Sequence, residues 1–328
     1  MKKNNELIIF KVSSSEKIGS GHIYRCRKIA KEIKNKKIFF LTNNFIGNFN
    51  HLIKNYKHKI LNNKESCFNI KKDLNETTDY LSSITQKKIL IIDSYFYDLN
   101  YQKQISKYVD KLVIIDDFIK KNYCDLYINE NFFINKPNEK NFLKKNCKKF
   151  IGPKYSLIEK KEYKKTTQKK NNLFLFFGGS DYKGYSFKII NFLKEDKNLF
   201  FRLILNNKKI KDKILKMNIK NIKIYKQKPN FYKILNYCSF AIVAGGSIVW
   251  DVLYNKIPLI AIPTANNQIR NLKELKKKNK ISLLNRIQNK NQFKKFFYSS
   301  YFSKNKVSQF NMTCLGLKNI VEEIISLK

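Results

Sequence analysis

The chain alternates short apolar runs with longer segments that mix polar and apolar residues. The runs that have the length and composition of buried parallel strands cover residues 7–12, 37–41, 89–93, 111–116, 173–177, 199–205, 222–225, 240–243 and 259–262. Between or after them, apolar residues recur at helical spacing in residues 23–33, 98–109 and 317–327. This alternation predicts a doubly wound α/β fold.

A polar stretch divides the pattern into two halves. Residues 160–172 are mostly charged or amide-bearing, which is typical of a solvated linker. After this stretch the order of strand, glycine loop and helix begins again. We therefore expect two Rossmann-like α/β domains that face each other across a cleft, residues 1–160 and residues 161–328, with the last helix free to pack back on the first domain.

Composition narrows the class of protein. The 328 residues are 43% hydrophobic, enough to bury a sizeable core. No window approaches the roughly 20 apolar residues of a membrane span, and the first apolar run is too short for a signal peptide. Six cysteines are scattered without zinc-site spacing, so we expect free thiols, no metal and no cofactor. These features favour a cytoplasmic protein. They leave the oligomeric state open, and a monomer is the default expectation.

The formal charge of +42 suggests polyanion binding, but its distribution argues against a dedicated surface. Lysines are spread over the whole chain, together with many Asn, Ile, Phe and Tyr residues, and arginine is scarce. That bias is expected from an AT-rich genome, whereas nucleic-acid surfaces more often use arginine forks. We expect no nucleic-acid partner, although the positive field would attract an anionic substrate.

The first glycine loop, residues 13–25, follows the first strand. Gly19 and Gly21 permit a tight turn and the close approach of a ligand to the backbone. His22 then enters a helix at the carboxyl edge of the strand, where open α/β sheets bind ligands. A histidine that only caps or packs is an equally good interpretation. Arg25 lies on the same helix face, in reach of a carboxylate or a phosphate, or in a surface salt bridge.

Two further loops lie at strand-to-helix junctions in the second half. They contain Gly178, Gly179, Ser180 and Asp181, and Gly245, Gly246 and Ser247. Backbone amides and hydroxyls of such loops bind phosphate oxygens, so the two together favour a diphosphate clamp over two ordinary turns. Neither loop matches the P-loop or the dinucleotide GxGxxG pattern.

Polar side chains near the third loop are candidates for nucleotide or sugar contacts. Asp251 lies one helical turn inside, where it is able to accept hydrogen bonds from ribose hydroxyls. Asn267 and Gln268 follow a proline-edged strand. Their amides either contact the sugar or the pyrophosphate, or are simply solvated.

Together these motifs resemble the UDP-2,4-diacetamido-2,4,6-trideoxy-β-L-altropyranose hydrolases of pseudaminic acid synthesis, GT-B proteins related to the UDP-GlcNAc transferase that builds lipid II. The matching segments run along nearly the whole chain and are residues 19–25 (GSGHIYR), 91–95 (IIDSY), 113–118, 124–129, 152–158, 178–181, 245–247 and 267–268. Two positions depart from the family, which usually has Glu where this chain has Asp251 and often His where it has Ser94.

The resemblance implies a GT-B fold and the hydrolysis of a UDP-linked 2,4-diacetamido-2,4,6-trideoxy sugar to UDP and free sugar. It implies that His22 is the catalytic residue and activates water, and that the second half holds UDP. Asp93 and Tyr95 lie at a strand end and are candidates to orient the imidazole or the sugar, although Asp93 is also explained as a structural acceptor. A glycosyltransferase that uses a UDP-sugar donor remains the alternative function.

Overall fold

The computed structural model describes residues 6–62, 64–132, 141–159, 171–226, 231–303 and 312–327. The chain forms two compact units: unit 1 consists of Met1–Glu159 and Cys314–Lys328, and unit 2 of Lys160–Thr313. The chain is therefore not divided by a single cut near residue 160. Most of the predicted linker, residues 160–170, lies outside the described residues, whereas Asn172 at its predicted end is buried and begins a strand.

The described residues form ten α-helices and thirteen β-strands. The helices are α1 (Gly21–Glu32), α2 (Ile70–Ser82), α3 (Leu99–Ile105), α4 (Tyr185–Leu193), α5 (Lys208–Leu215), α6 (Phe231–Leu235), α7 (Ile248–Tyr254), α8 (Asn266–Lys277), α9 (Lys290–Phe302) and α10 (Leu315–Ser326). The strands are β1 (Glu6–Val12), β2 (Lys37–Asn43), β3 (Lys57–Leu61), β4 (Lys87–Asp93), β5 (Lys111–Ile115), β6 (Leu126–Asn129), β7 (Lys148–Ile151), β8 (Asn172–Phe176), β9 (Phe200–Ile204), β10 (Ile222–Tyr225), β11 (Phe240–Ala244), β12 (Leu259–Ile262) and β13 (Ser282–Leu283).

In the described part of unit 1, the strands form one parallel sheet in the order β3-β2-β1-β4-β5-β6-β7. Alternate residues of β1 serve opposite faces, because side chains alternate along a strand. Ile8 and Phe10 join the core under α1 and α10, and Leu7 and Ile9 join the core that includes α2 and α3 side chains. Burial on both faces explains why these strands are continuous apolar runs.

Helix α10 belongs to unit 1 because its first turn fits closely against the segment that follows β7. A Cβ at Gly316 would lie 2.7 Å from the carbonyl oxygens of Lys154 and Ser156, so only glycine allows this approach. Ile320 and Ile324 on the same helix are fully buried in the core that contains α1. The helix therefore closes the face of the sheet that α1 begins to cover.

In the described part of unit 2, the parallel sheet has the order β10-β9-β8-β11-β12-β13. In both units the chain winds outward from a first strand and then reverses beside it, between β1 and β4 and between β8 and β11. Such a reversal opens a crevice at the carboxyl ends of the two strands, where ligands bind in open α/β sheets. The loops that follow these four strands are therefore the places to look for a site.

The predicted strands agree with the observed ones to within about two residues at each end. Strands β3, β6, β7 and β13 were not predicted from the apolar pattern. Strands β3, β7 and β13 are at sheet edges, and β3 is largely exposed, so these three need no continuous apolar run. Among the described residues, no helix combines the length and the apolarity needed to cross a lipid bilayer.

Candidate functional site

The loop after β1 is closed by short-range bonds that begin helix α1. The amide of Gly19 donates to the carbonyl of Ser15 at 2.8 Å, and the amide of Ile18 donates to the Ser15 hydroxyl at 2.9 Å. Gly19 has a φ of +83°, which favours glycine. Apart from adjacent residues and the backbone of the same helix, no described atom lies within 4 Å of where a Cβ on Gly19 or Gly21 would be. The loop thus leaves space beside His22, which lies in the first turn of α1.

The His22 imidazole is paired with the carboxylate of Asp93, the last residue of β4. The two atoms Nδ1 of His22 and Oδ1 of Asp93 are 2.5 Å apart, and both side chains are buried. An ionised carboxylate only accepts hydrogen bonds, so Nδ1 carries the proton and donates it to Asp93. In the neutral imidazole this leaves the lone pair on Nε2, an atom that has no hydrogen-bond partner within the described ranges.

Arg25 lies one turn further along α1 and holds Asp93 from the other side. Its Nε donates to Oδ2 of Asp93 at 2.9 Å and its Nη2 donates to Oδ1 at 2.7 Å. Nη2 is also 3.0 Å from His22 Nδ1, but both nitrogens carry hydrogens and this contact is not a hydrogen bond. From the sequence, the candidate partners of Arg25 are a carboxylate, a phosphate or a salt-bridge partner at the surface. In the structure Arg25 bonds to carboxylate, and these bonds are buried.

A second carboxylate, which sequence reasoning missed, completes this group. Asp117 follows β5 and accepts from Arg25 Nη1 at 2.6 Å and from the hydroxyl of Tyr95. Burial by itself would raise the pKa of Asp117, but the charge and hydrogen bonds of Arg25 hold it at about 2. The sequence did carry a signal, an acidic pair directly after a buried strand. Its meaning depends on the sheet, in which β5 lies beside β4 and so brings Asp117 next to this group.

Tyr95 lies against the imidazole through its ring. The ring centroids of His22 and Tyr95 are 4.5 Å apart and the planes cross at 78°, an edge-to-face contact. Burial and the neighbouring Asp117 both raise the pKa of the Tyr95 phenol, so it stays protonated and donates. Ser94, which stands where the family often has His, is buried, and its hydroxyl is 3.4 Å from the amide of Phe96.

A further buried acid, Glu130, lies after β6 near this group. Its Oε2 accepts from the amide of Leu157 at 3.3 Å. Burial raises the pKa of Glu130 to about 7, although the Arg25 charge opposes the shift. Glu130 is therefore the acid of this group that changes charge near neutral pH.

In unit 2, the loop after β8 is held by its backbone. Gly178 has a φ of +79°. The amide of Asn206 donates to the carbonyl of Gly179 at 3.2 Å, and the Asn207 side chain donates to the carbonyl of Ser180 at 2.9 Å. These contacts fix the shape of the turn, as a loop that presents amides to an anion requires.

Asp181 at the end of that loop is occupied by the start of helix α4. Its Oδ1 accepts from the amide of Tyr185 and its Oδ2 from the amide of Ser186, each at 3.0 Å. Burial raises the pKa of Asp181 to about 6, while these hydrogen bonds oppose the shift. In this structure the carboxylate therefore satisfies helix N-terminal amides.

The loop after β11 packs tightly against α8. A Cβ at Gly245 would lie 2.4 Å from Leu272 Cδ1 and 3.0 Å from Gln268 Oε1, whereas one at Gly246 would meet only Gln268 Nε2, at 3.8 Å. Gln268 Oε1 also accepts from the amide of Thr264 at 2.8 Å, and both the oxygen and the nitrogen of this side-chain amide lie beside the loop. Ser247 precedes α7, and Asn267 is half-buried beside Gln268.

Asp251 lies within α7 and is buried. Its Oδ1 accepts from the hydroxyl of Tyr232, a residue of α6. The ribose contact expected from the sequence would have to share this carboxylate with the phenol.

The structure thus brings His22, Asp93, Arg25 and Tyr95 together where the sheet of unit 1 reverses, and it adds Asp117. In unit 2, both glycine loops flank the reversal between β8 and β11.

No family model matches the chain. In structure, it is similar to MurG from Acinetobacter baumannii, with a TM-score of 0.67 and 11% identity over 98% of this chain and 99% of that one. It is also similar to UDP-GlcNAc 2-epimerase from Neisseria meningitidis bound to UDP-GlcNAc, with a TM-score of 0.57 and 10% identity over 98% and 99% of the two chains. At these identities the likeness shows the fold alone. It confirms the predicted class, a protein of two Rossmann-like α/β domains of the GT-B type.

In sequence, the chain is similar to UDP-2,4-diacetamido-2,4,6-trideoxy-beta-L-altropyranose hydrolase of Campylobacter jejuni subsp. jejuni serotype O:2. The identity is 26% over 267 residues, which cover 80% of this chain and 93% of that protein. An uncharacterised protein of Methanocaldococcus jannaschii is also 26% identical over 272 residues, 76% of this chain and 54% of that protein, so the chain spans about half its length. The first similarity confirms the resemblance that the motifs indicated.

Proposed function

We propose that the protein is an enzyme that hydrolyses a UDP-linked 2,4-diacetamido-2,4,6-trideoxy sugar to UDP and free sugar, a reaction of pseudaminic acid synthesis. The observation that carries the chemistry is the buried His22–Asp93 pair at the reversal of the unit 1 sheet, 2.5 Å between Nδ1 and Oδ1. The observation that supports the substrate is the 26% identity to the Campylobacter hydrolase over 80% of the chain.

In this proposal His22 Nε2 is the general base. Because Asp93 accepts a hydrogen bond from Nδ1–H, the imidazole is held in the tautomer whose Nε2 lone pair accepts a proton from water. The water oxygen forms a bond to the anomeric carbon as the bond from that carbon to the UDP oxygen breaks, and the water proton moves to Nε2. Attack opposite the leaving group inverts the anomeric centre.

Asp93 and Arg25 are positioning residues for that base. Arg25 donates to both oxygens of Asp93, which leaves the carboxylate little freedom to rotate away from the imidazole. Tyr95 supports the ring from the side, and its own hydroxyl is fixed by Asp117. The ring of His22 is thus held directly by Asp93 and Tyr95. Each of these two side chains is held in turn by a neighbour, Arg25 or Asp117.

The glycine loops of unit 2 are assigned to UDP. Amides near Gly178 and Gly179 and near Gly245 and Gly246, with the hydroxyls of Ser180 and Ser247, would donate hydrogen bonds to the leaving diphosphate. These bonds stabilise the negative charge that develops on it. Support comes from the position of both loops at the reversal of the unit 2 sheet. Asn267 and Gln268 are assigned to the same ligand, the latter through Nε2. Asp251 is assigned to the ribose, in competition with Tyr232.

The test is product analysis with the UDP-linked diacetamido trideoxy sugar and no acceptor except water. We expect stoichiometric UDP and free sugar, separated by anion-exchange chromatography, and a first-formed anomer of inverted configuration by NMR. His22→Ala should lower turnover about 10²–10⁴-fold while UDP still raises the melting temperature. His58→Ala is the matched control, because His58 is exposed on β3. Normal turnover in His22→Ala would remove His22 from the chemistry.

One observation favours a transferase as the second candidate. Ile46 is 86% exposed, and its carbonyl accepts from the amide of Glu16 in the His22 loop. An exposed apolar side chain beside that loop would suit an acceptor with an apolar part. Absence of free sugar without an added acceptor, combined with UDP release when a hydroxyl acceptor is present, would favour transfer.

A further inference from the structure

An exposed aromatic ring extends the candidate site outward from the imidazole. The ring of Phe118 lies edge-to-face on the ring of Tyr95, with centroids 5.3 Å apart at 74°, and Tyr95 in turn contacts His22. Phe118 and Tyr95 are 38% and 40% exposed. A row of three rings thus leads from the proposed base toward solvent.

The exposure of Phe118 is fixed by its backbone. Oδ1 of Asp116 accepts from the amides of Asp117 at 2.8 Å and Phe118 at 3.1 Å, and the carbonyl of Phe118 accepts from the hydroxyl of Tyr127 at 2.5 Å. A turn held at both its amides and its carbonyl keeps the ring where it is. Because these hydrogen bonds hold the turn, the exposed apolar ring is a feature of the fold rather than of a loose loop.

The charges beside these rings argue for a neutral ligand. Two carboxylates, Asp93 and Asp117, share the single guanidinium of Arg25, so the three side chains carry a net charge of −1. The low pKa of Asp117 keeps that charge in place at neutral pH. A diphosphate would be repelled here, whereas a neutral sugar with C–H surfaces would gain from covering an aromatic face.

We infer that Phe118 is a specificity-determining residue that contacts the apolar face and methyl substituents of the sugar. This inference rests on the proposed function, and it adds the reason why a deoxy sugar is preferred. A methyl group in place of a hydroxyl covers the ring without the loss of a hydrogen bond to water.

The test measures kcat and KM of Phe118→Ala for the UDP-linked diacetamido trideoxy sugar. We expect KM to rise about tenfold to a hundredfold, the loss of a buried apolar contact, with kcat changed less than threefold. Phe118→Tyr keeps the ring and should stay within about twofold of the wild type. Tyr108→Ala is the matched control, because Tyr108 is 42% exposed and lies before the amino end of β5, whereas Phe118 follows its carboxyl end. Melting curves with and without UDP show that each variant is folded.

Three outcomes would overturn the inference. One is a KM of Phe118→Ala within twofold of the wild type. Another is an equal loss of affinity for UDP alone, which would assign the ring to the nucleotide. The third is an equal loss for UDP-N-acetylglucosamine as a competing ligand, because this sugar has hydroxyls at carbons 4 and 6 and lacks the methyl substituents that the inference assigns to Phe118.

Failure of the proposed function is separated from failure of this inference by the wild-type protein. If the wild type does not hydrolyse the substrate, the same UDP-sugar is titrated by calorimetry into wild type and Phe118→Ala. A tenfold or greater loss of affinity in the variant then supports the sugar contact without the hydrolysis. Equal affinities, or no binding to the wild type, overturn it.

Discussion

The two candidate regions are built from different parts of the chain. In unit 1, the group around His22 is made of side chains that bond to one another, with Arg25 between two carboxylates and His22 on one of them. In unit 2, the glycine loops are shaped by backbone contacts and by close packing, as at Gly245 against Leu272. Both regions nevertheless occupy the same place in their sheets, beside the reversal of strand order.

This difference indicates what each region is suited to do. Buried, paired side chains fix the tautomer and direction of a base, so changes there should affect rate. A shaped backbone presents amides to an anion without a side chain of its own, so changes there should affect affinity and stability. Rate and affinity should therefore separate when residues of the two regions are changed.

The largest effect is expected from Asp93→Asn. The amide cannot enforce the Nδ1–H tautomer of His22, so turnover should fall about 10²–10⁴-fold while UDP affinity stays within about threefold. Asp110→Asn is the matched control, because it makes the same change at the amino end of β5. There Asp110 is exposed and accepts from the amide of Lys88. Steady-state kinetics and UDP titration measure both quantities. An equal loss of rate and UDP affinity would break the comparison.

The next effect concerns the packing of the loop after β11. Gly245→Ala places a methyl group 2.4 Å from Leu272 Cδ1 and should cost about 1–3 kcal/mol of unfolding free energy. Gly246→Ala has room at 3.8 Å and should leave stability within about 0.5 kcal/mol. Both should weaken UDP binding about tenfold or more, because a methyl group hinders approach to the amides. Denaturant unfolding with and without UDP is the measurement, and unchanged UDP affinity in Gly246→Ala would contradict the assignment of this loop.

The pH dependence of stability should reveal Glu130. Its folded-state pKa of about 7 lies above the ordinary value of 4.5, so the folded protein holds the proton more tightly than the unfolded chain. The stabilisation is complete below about pH 4.5 and is lost as the pH rises to 7, by up to about 3 kcal/mol. Glu130→Gln should flatten that part of the unfolding free energy curve, and Glu32→Gln, an exposed change on α1, should not. Parallel curves for Glu130→Gln and wild type would refute this prediction.

The smallest effect separates capping from ligand binding at Asp181. Asp181→Ala removes the acceptor for two amides of α4 and should cost about 1 kcal/mol of stability. Asp181→Asn keeps an acceptor and tolerates the φ of +41°, so it should cost less. If Asp181 only caps the helix, the UDP-induced rise in melting temperature is the same in both variants. Its loss in Asp181→Asn would instead make Asp181 a UDP contact.

Several features were predictable because each is a local property of the chain. Strands such as β1 and β4 are buried on both faces, so they must be continuous apolar runs. Gly19 and Gly178 adopt positive φ values, so glycine marks the turns that follow β1 and β8. Asp181, by contrast, follows Ser180 in the phosphate-loop motif, and this adjacency says nothing of the helix amides that Asp181 meets.

By itself the sequence determined the alternation of buried strands, glycine turns and helices, because these follow from the side-chain period and from backbone sterics. Only the tertiary structure decided which side chains meet. Asp93 is 71 residues from His22 and Asp117 is 92 residues from Arg25, and they converge because β4 lies between β1 and β5 in the sheet. Strand order is set by the packing of the whole sheet, so the partner of a buried charge cannot be derived from the residues beside it.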